Sequence, residues 1–199
     1  MNKDEALKQI RDEVWSLVES PLYKYRTENK YYPVLGEGSH DASVLFVGEA
    51  PGENEAKTGR PFAGAAGRVL NELLSTIKLA REDVYVANLV KDRPPGNRDP
   101  LPAEIELYGP FLLRQIEIIQ PKVVATLGRY SLQYLLDKLG SWQVGQTIGQ
   151  LHGKAVEVNA QFGGLVVLPL YHPAAALYNP SLRKIMEADF KELSAILRK

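Results

Sequence analysis

The chain has 199 residues, of which 45% are hydrophobic and 24% charged, and its 24 basic and 24 acidic residues give a formal net charge of +0. These values are typical of one globular domain and show no overall basic excess of the kind common in nucleic-acid binders. The absence of cysteine excludes disulfides, a thiolate nucleophile and iron–sulfur ligation by cysteine, and only three histidines argue against a zinc site.

Neither a signal peptide nor a membrane span is predicted. The N-terminal stretch MNKDEALKQIRDEVW carries acidic residues and has no apolar h-region. No apolar run approaches the roughly 18 residues that suggest a bilayer crossing. We therefore expect a cytoplasmic protein.

Helices and buried strands are predicted to alternate along the chain. A helix is expected over about 3–19, followed by an irregular, Tyr-rich segment. Four apolar runs predict buried strands: VLFVG at 44–48, VYVANLV at 84–90, PKVVATLG at 121–128 and GLVVLPLY at 164–171. The weaker run KAVEVN is a candidate edge strand. Further helices are expected over 65–79, 102–120 (distorted at Gly109-Pro110), 129–140 and 180–198. This order predicts a mostly parallel sheet covered on both faces.

The segments that follow the strands contain most of the candidate functional residues. Ligands of open α/β sheets bind beyond the carboxyl ends of the strands. GEAPGENEAKTGRPF follows the first strand, the second contains Asn88 and continues into KDRPPGNR, and HPAAALYNP follows the fourth. Carboxylates, an amide, basic groups, an aromatic ring and a histidine are thus expected at one crevice.

A nucleotide phosphate is a poor candidate for the ligand of the first loop. A P-loop requires G-x-x-x-x-G-K-[ST], whereas Lys57-Thr58 precedes Gly59 here, and the dinucleotide spacing G-x-G-x-x-G is absent. The acidic side chains of Glu49, Glu53 and Glu55 would repel a polyphosphate.

Two single residues each allow two interpretations at this point. His172 directly follows the fourth strand and is either a satisfied histidine at a strand end or a donor placed over a ligand. Asn88 lies in a buried strand, where an unpaired amide is unfavourable, so either a structural network or a ligand must pair it.

Three separated motifs together resemble one known family. The sequences GEAPGxxExxxGxPFxGxAG, NLVKxRPPGNRxPxPxEI and LPLYHPAAALYNP, in this order, resemble the family-4 branch of the uracil-DNA glycosylase superfamily, from about Ser20 to the end of the chain. The resemblance implies a single three-layer α/β/α sandwich with a central four-stranded parallel sheet, in one domain over 1–199. It also implies a DNA repair enzyme that flips uracil out of DNA, single- or double-stranded, and hydrolyses its N-glycosidic bond. We expect a monomer.

The resemblance assigns a base pocket by matched position. Phe62 would stack on the flipped uracil, and Asn88 would read its edge by accepting from N3–H and donating to O4. His172 would donate to uracil O2, where negative charge grows as the bond to the sugar breaks. Gly48 and Ala50 would complete the uracil-binding wall.

The acidic residues are expected to serve the sugar side of the reaction. Glu49 is the first candidate to position the attacking water and to stabilise an oxocarbenium-like sugar. Glu55 is a second catalytic candidate, which would line the pocket beside uracil C5 and exclude the methyl group of thymine. Glu53 is interpreted as a solvated loop charge.

Basic and apolar residues near the crevice are expected to contact DNA. Lys91, Arg93 and Arg98 are candidates for phosphate contacts, with a solvated loop as the alternative. In the last motif Ala174 is small enough for close backbone approach. Leu177, with Tyr178, is a candidate to insert into the space that the flipped base leaves. The alternative is a hydrophobic staple at a helix start.

The sequence departs from the family at the cofactor. Family-4 enzymes usually hold a 4Fe–4S cluster through four cysteines, whose positions are occupied here by Ser20, Tyr23, Asp92 and Tyr108. We therefore expect no iron–sulfur cluster, no other cofactor and no metal. As a replacement, we hypothesise that Tyr23 and Tyr108 pack in the same place, with Ser20 and Asp92 hydrogen-bonded to them.

Two other functions stay open at the level of sequence. The first is a glycosylase of shifted base specificity, for example for hypoxanthine, against which Asn88 and Phe62 argue. The second is a non-catalytic DNA-binding relative, against which the intact Glu49, Asn88 and His172 argue.

Overall fold

One six-stranded sheet forms the centre of the fold, and helices cover both of its faces. The computed structural model describes residues 2–198. The strands within this range are β1 (Glu37–Gly38), β2 (Val44–Gly48), β3 (Tyr85–Asn88), β4 (Val123–Leu127), β5 (Val156–Ala160) and β6 (Gly163–Leu170). The α-helices within it are α1 (Lys3–Trp15), α2 (Tyr23–Glu28), α3 (Glu53–Thr58), α4 (Ala65–Thr76), α5 (Pro102–Ile119), α6 (Arg129–Lys138), α7 (Ile148–Leu151), α8 (Ala175–Tyr178) and α9 (Leu182–Leu197).

The strand order confirms the predicted sandwich and extends its sheet. The order is β1-β3-β2-β4-β6-β5, and the four inner strands pair in parallel, as predicted. The sheet has six strands rather than four because β1 and β5 add antiparallel edges. The edge strand β5 matches the candidate KAVEVN. The two-residue β1 was not predicted because Glu37 and Gly38 carry no apolar pattern.

Alternation along β2 divides the core into two layers. Leu45 and Val47 pack on one face, in the cluster that contains buried residues of α1, α5 and α6. Val44 and Phe46 pack on the other face, with buried residues of α4 and α9. This arrangement leaves the carboxyl ends of the parallel strands open at one edge of the sheet. No helix within residues 2–198 is both long and apolar enough to cross a bilayer.

Two predicted helices differ from the observed ones. Helix α1 ends at Trp15 rather than at residue 19, because Arg26 on α2 donates to the Trp15 carbonyl oxygen over 2.6 Å and closes the end of the helix. Helix α5, for which a distortion at Gly109-Pro110 was predicted, continues through this pair as one helix. Gly109 is required there by packing, because a Cβ at this position would lie 2.1 Å from the Tyr134 hydroxyl.

A buried polar network joins the N-terminal segment to the loop after β3 and to α5. The Tyr108 hydroxyl donates to Asp92 Oδ2 over 2.6 Å and lies 2.7 Å from Ser20 Oγ, from which it accepts. Arg26 Nη1 donates to both carboxylate oxygens of Asp92, at 3.1 and 3.2 Å. Burial raises the pKa of Tyr108, which therefore keeps its proton and acts as a donor.

The network also balances the charge on Asp92. This side chain is fully buried, and burial raises its pKa, whereas the Tyr108 hydrogen bond and the Arg26 charge lower it. A buried acid that has a guanidinium and a hydroxyl as partners is stable, but removing one partner leaves an uncompensated group. The four side chains of Ser20, Arg26, Asp92 and Tyr108 therefore form one cooperative unit.

Replacing Tyr108 by Phe tests this unit. The variant should lose about 1–3 kcal/mol of unfolding free energy, because Asp92 and Ser20 each lose a buried hydrogen-bond partner. Tyr134→Phe is the matched control, since this buried tyrosine on the adjacent helix makes no hydroxyl hydrogen bond to residues 2–198. Urea unfolding should show a change below about 1 kcal/mol for the control. Equal losses in the two variants would contradict the cooperative network.

Candidate active site

A cleft of about 640 Å³ opens at the carboxyl ends of the inner strands. Its walls come from the loops that follow β2, β3 and β6, as the sequence predicted from strand order. The structure places these predicted residues along it: Glu49, Ala50, Glu55, Phe62, Asn88, Arg98, His172, Ala174 and Tyr178.

Gly48 lies in close contact with two of the predicted site residues. It pairs with Asn88 in the parallel register of β2 and β3. A Cβ on Gly48 would lie 2.3 Å from Asn88 Oδ1 and 2.8 Å from Phe62 Cε2. Real Cβ atoms do not approach so closely, so both side chains pack directly on the backbone of Gly48.

The backbone of Phe62 is held in an uncommon conformation. Its φ of 53° lies in the left-handed region, which is unfavourable for a bulky residue unless its surroundings enforce it. Arg81 donates from Nη2 to the preceding carbonyl, of Pro61, over 2.8 Å. Gly67 of α4 allows the helix to touch this turn, since a Cβ there would lie 1.6 Å from the Phe62 carbonyl oxygen. Sequence reasoning missed Arg81, which lies far from the motif.

Asn88 is buried, with 2% of its surface exposed, yet its carboxamide makes no hydrogen bond to the described residues 2–198. The side chain reaches the cleft from the end of β3. A buried amide without a partner is unfavourable in an empty protein. Residues 2–198 thus provide no structural network for the amide, and of the two interpretations left open by the sequence this arrangement favours binding of a ligand.

His172 is a neutral donor with a defined tautomer. Its Nδ1 accepts from the backbone N–H of Ala174 over 3.2 Å, which leaves the ring proton on Nε2. Burial lowers the pKa of His172 to about 4, against the opposing charge of Glu55. The ring stacks on Phe62 with centroids 5.6 Å apart, so the two aromatic side chains meet in the cleft.

Glu49 has a strongly perturbed carboxyl group. Burial and, after it, the neighbouring charge of Asp99 raise its pKa to about 7, against the opposing charge of Arg129. Asp99 is fixed by Arg129 at 2.5 Å and by the Tyr130 hydroxyl at 2.8 Å. Sequence reasoning did not single out these three residues, although GRYS was recognised as the segment that follows the third predicted strand.

Glu55 is tied to the protein more firmly than Glu49. Its Oε1 accepts from the N–H of Gly64 over 2.9 Å. Its Oε2 lies close to Gly52, since a Cβ on that glycine would be 2.6 Å from this oxygen. Glu55 thus links α3 to the start of α4 while lining the cleft. Glu53 is about half exposed, as a solvated charge would be, but it begins α3 rather than lying in a loop and pairs with both Lys57 and Arg93.

Lys91 does not lie where a phosphate could reach it, so its predicted DNA contact is wrong. The side chain is fully buried, and Nζ donates to the Asn88 carbonyl oxygen and to Gln115 Oε1, each over 2.6 Å. The error arose because charge suggests exposure, whereas the chain after β3 turns Lys91 inward beneath α5.

The two arginines of the same motif also have protein partners. Arg93 is 9% exposed and donates to Asn97 Oδ1 and to the Tyr31 hydroxyl, each over 2.7 Å, which leaves its predicted phosphate contact without an accessible guanidinium. Arg98 is bound by both carboxylate oxygens of Glu104 but keeps 37% of its side chain exposed beside the cleft. Arg98 therefore remains a candidate phosphate contact.

The last motif presents apolar side chains to solvent. Leu177 and Tyr178 end the short helix α8 and are 47% and 88% exposed. Neither belongs to the two core clusters. This exposure does not fit the alternative of a hydrophobic staple.

The sequence is similar to glycosylases over nearly its whole length. The model of the Uracil DNA glycosylase superfamily matches residues 35–198. A protein named Type-4 uracil-DNA glycosylase from Sulfurisphaera tokodaii is 47% identical over 95% of this chain and 84% of its own. Proteins of the same name from Archaeoglobus fulgidus and Thermotoga maritima are 43% and 40% identical, covering 98% and 99% of this chain and 95% and 97% of their own. The chain belongs to the uracil DNA glycosylase superfamily.

In this superfamily member, the four positions that the resemblance assigns to the family-4 cysteines lie in and beside the buried network. Ser20, Asp92 and Tyr108 are hydrogen-bonded within it, and the Tyr23 ring lies 5.0 Å from the Arg26 guanidinium. The earlier hypothesis omitted Arg26, which supplies the positive charge. These side chains do not fit an iron–sulfur cluster, because they offer no thiolate and their oxygens already bind one another.

The protonation state of His172 can be measured directly. Imidazole ¹⁵N NMR should show a neutral ring with the proton on Nε2 at about pH 5.5, where an ordinary histidine is mostly protonated. The spectrum of His172→Gln assigns the signal. Protonation of His172 near its ordinary pKa would contradict the burial described above.

Proposed function

We propose that this superfamily member is a DNA repair enzyme that releases uracil from DNA by hydrolysing the N-glycosidic bond and leaves an abasic site. The observation that carries the proposal is the Asn88 carboxamide, buried and without a hydrogen-bond partner in residues 2–198, beside Phe62 and His172. The target nucleotide must leave the base stack, because this bond cannot be reached inside a duplex.

Base selection follows from the donor and acceptor pattern of Asn88. Its Oδ1 accepts from uracil N3–H and its Nδ2 donates to O4, whereas cytosine offers the opposite pattern at both atoms. A site whose buried polar groups are left unpaired by the wrong base rejects that base strongly. Phe62 provides a stacking face, and the backbone at Gly48 and Ala50 brings that face close to the base.

His172 stabilises the leaving group as a neutral donor. Negative charge develops on uracil O2 as the glycosidic bond breaks, and Nε2–H donates to it there. A donor that is already oriented in a desolvated cleft stabilises such charge without reorganisation. The depressed pKa of His172 is consistent with hydrogen bonding rather than proton transfer as its role.

Glu49 serves the sugar and the attacking water. Its carboxylate stabilises positive charge on the sugar and orients water on the face opposite the leaving base, by the same logic as in glycosidases. Glu55 lines the wall beside the base, where its hydrogen bond to Gly64 keeps it in place. The two acids thus act on different parts of the substrate.

DNA is held by few direct charge contacts. Leu177 and Tyr178 occupy the space vacated by the flipped nucleotide, Ala174 allows close backbone approach, and Arg98 meets a phosphate. Few phosphate contacts predict a shallow dependence of binding on salt. We also propose that the protein acts as a single-domain monomer without an iron–sulfur cluster, the network around Asp92 taking the structural place of that cluster.

An excision assay tests the function and separates the alternatives. Oligonucleotides that contain uracil, hypoxanthine or neither, both single-stranded and paired, are incubated with protein of measured iron content and then treated with alkali to cleave abasic sites. Cleavage should occur only at uracil, with no iron present. Cleavage at hypoxanthine would favour shifted specificity, and binding of DNA without cleavage would favour a non-catalytic relative.

Replacing Glu49 by Gln tests the role of the acid. Turnover should fall about 10²- to 10⁴-fold, because a neutral amide neither stabilises the cationic sugar nor orients water as a carboxylate does. The matched control is Glu53→Gln, an acid of the same segment that is paired with Lys57 and Arg93 and should keep full activity. Unchanged turnover in Glu49→Gln together with a loss in Glu55→Gln would transfer the role to Glu55.

The pH dependence should follow the same acid. The pKa of Glu49 is raised to about 7, so the carboxylate predominates above this pH and the inactive neutral form below it. The value of kcat/KM for the native protein should therefore rise with pH through about 7, since this ratio reports the free enzyme. Glu49→Gln should lack this rise, and a rise retained in the variant would assign it to another group.

A further inference from the structure

Lys91 is a buried cation directly behind the residue that reads the base. No part of its side chain is exposed, and no carboxylate within residues 2–198 pairs with it. Its Nζ instead donates to two neutral oxygens, the Asn88 carbonyl and Gln115 Oε1, each over 2.6 Å. Lysine is almost never fully buried unless it is paired, so this arrangement requires an explanation.

The amine is unfavourable for stability taken alone. Burial lowers the pKa of Lys91 to about 7, which shows that the surroundings disfavour its charge. Methionine has a similar length, fills irregular core space and carries no charge. What only the amine supplies at this position is its two hydrogen bonds.

We propose that Lys91 is a positioning residue for base recognition, which orients Asn88 by donating from Nζ to the Asn88 carbonyl oxygen. This inference rests on the proposed function of Asn88. Both the ammonium and the neutral amine can donate, so the role needs the hydrogen bond rather than the charge.

Asn88 needs support from its backbone because its carboxamide has no hydrogen bond of its own. It is the last residue of β3, where the regular ladder with β2 ends. Lys91 closes the turn after β3 by donating from Nζ to the Asn88 carbonyl oxygen. Gly48 packs against the Asn88 side chain. The position of the amide is thus set by its contact with Gly48 and by the hydrogen bond from Lys91 to the Asn88 carbonyl oxygen.

Lys91 is hydrogen-bonded to two other parts of the fold. Gln115 of α5 accepts from Lys91 and donates from Nε2 to the Leu35 carbonyl oxygen over 2.9 Å. The N–H of Val34 donates to the carbonyl oxygen of Lys91 over 2.8 Å. The two contacts are independent, so the bond from Val34 still holds the backbone of Lys91 when the bond to Gln115 is lost.

Two identical replacements separate positioning from stability. Lys91→Met removes the bond to Asn88, whereas Gln115→Met removes the other acceptor and leaves that bond in place. In Lys91→Met, kcat for uracil release should fall about 10- to 100-fold with KM for DNA changed less than about threefold, because a small misplacement of a catalytic contact is enough for such a loss. Its melting temperature should stay equal or rise, since a buried amine is replaced by an apolar chain.

Gln115→Met should show the reverse pattern. Its melting temperature should fall, because the bond from residue 115 to Leu35 is lost, while kcat stays within about threefold of the native value.

Unchanged kcat in Lys91→Met, or equal losses of kcat in the two variants, would overturn the proposal. Native protein that releases no uracil would instead overturn the proposed function. If Lys91→Met does not fold, Lys91→Gln takes its place. This variant keeps a terminal N–H donor, so its kcat should fall by less than tenfold, and a larger fall in folded Lys91→Gln would overturn the proposed role of the hydrogen bond.

Discussion

The active site depends on the close packing of two side chains against one glycine. Parallel pairing of β2 with β3 places Gly48 opposite Asn88, and the turn at Phe62 brings an aromatic ring over the same backbone atom. Any side chain at Gly48 would occupy the space in which Asn88 and Phe62 meet. The stacking face and the hydrogen-bonding edge of the proposed base pocket therefore share one contact with Gly48.

Other parts of the fold maintain this contact from a distance. Gly67 lets α4 press on the left-handed turn at Phe62, and Arg81 holds the carbonyl before it. Lys91 donates a hydrogen bond to the carbonyl oxygen of Asn88. Strained or unpaired groups persist in proteins only when the surroundings determine them fully, and here the unfavourable groups surround the proposed base pocket.

Desolvation affects the two titrating residues of the cleft in opposite directions. Burial lowers the pKa of His172 to about 4 and raises that of Glu49 to about 7, so each is shifted toward its neutral form. In the proposed reaction the neutral form of His172 is the useful one, because it donates from Nε2. The proposed role of Glu49 needs the anion, and burial makes formation of that anion depend on pH near neutrality.

Sequence predicted the strands and the cleft but not the direction of several charged side chains. Four apolar runs identified the parallel strands, and the order of the chain brought Glu49, Asn88 and His172 to one edge. Lys91 was misassigned because local sequence carries no information about the helix that covers it. Arg26 was missed because it lies in a polar segment, and only the folded chain shows that Asp92 is buried beside it.

The most direct test of this packing is the rate of uracil release by Gly48→Ala, measured in a single turnover beside Gly164→Ala. Gly164 also lies in a strand, but no atom lies within 4 Å of its Cβ position. Gly48→Ala should lose at least about 100-fold in rate while remaining folded, because the new methyl group displaces Asn88 and Phe62. Gly164→Ala should match the native protein. Native rates in Gly48→Ala would contradict the central role of this contact.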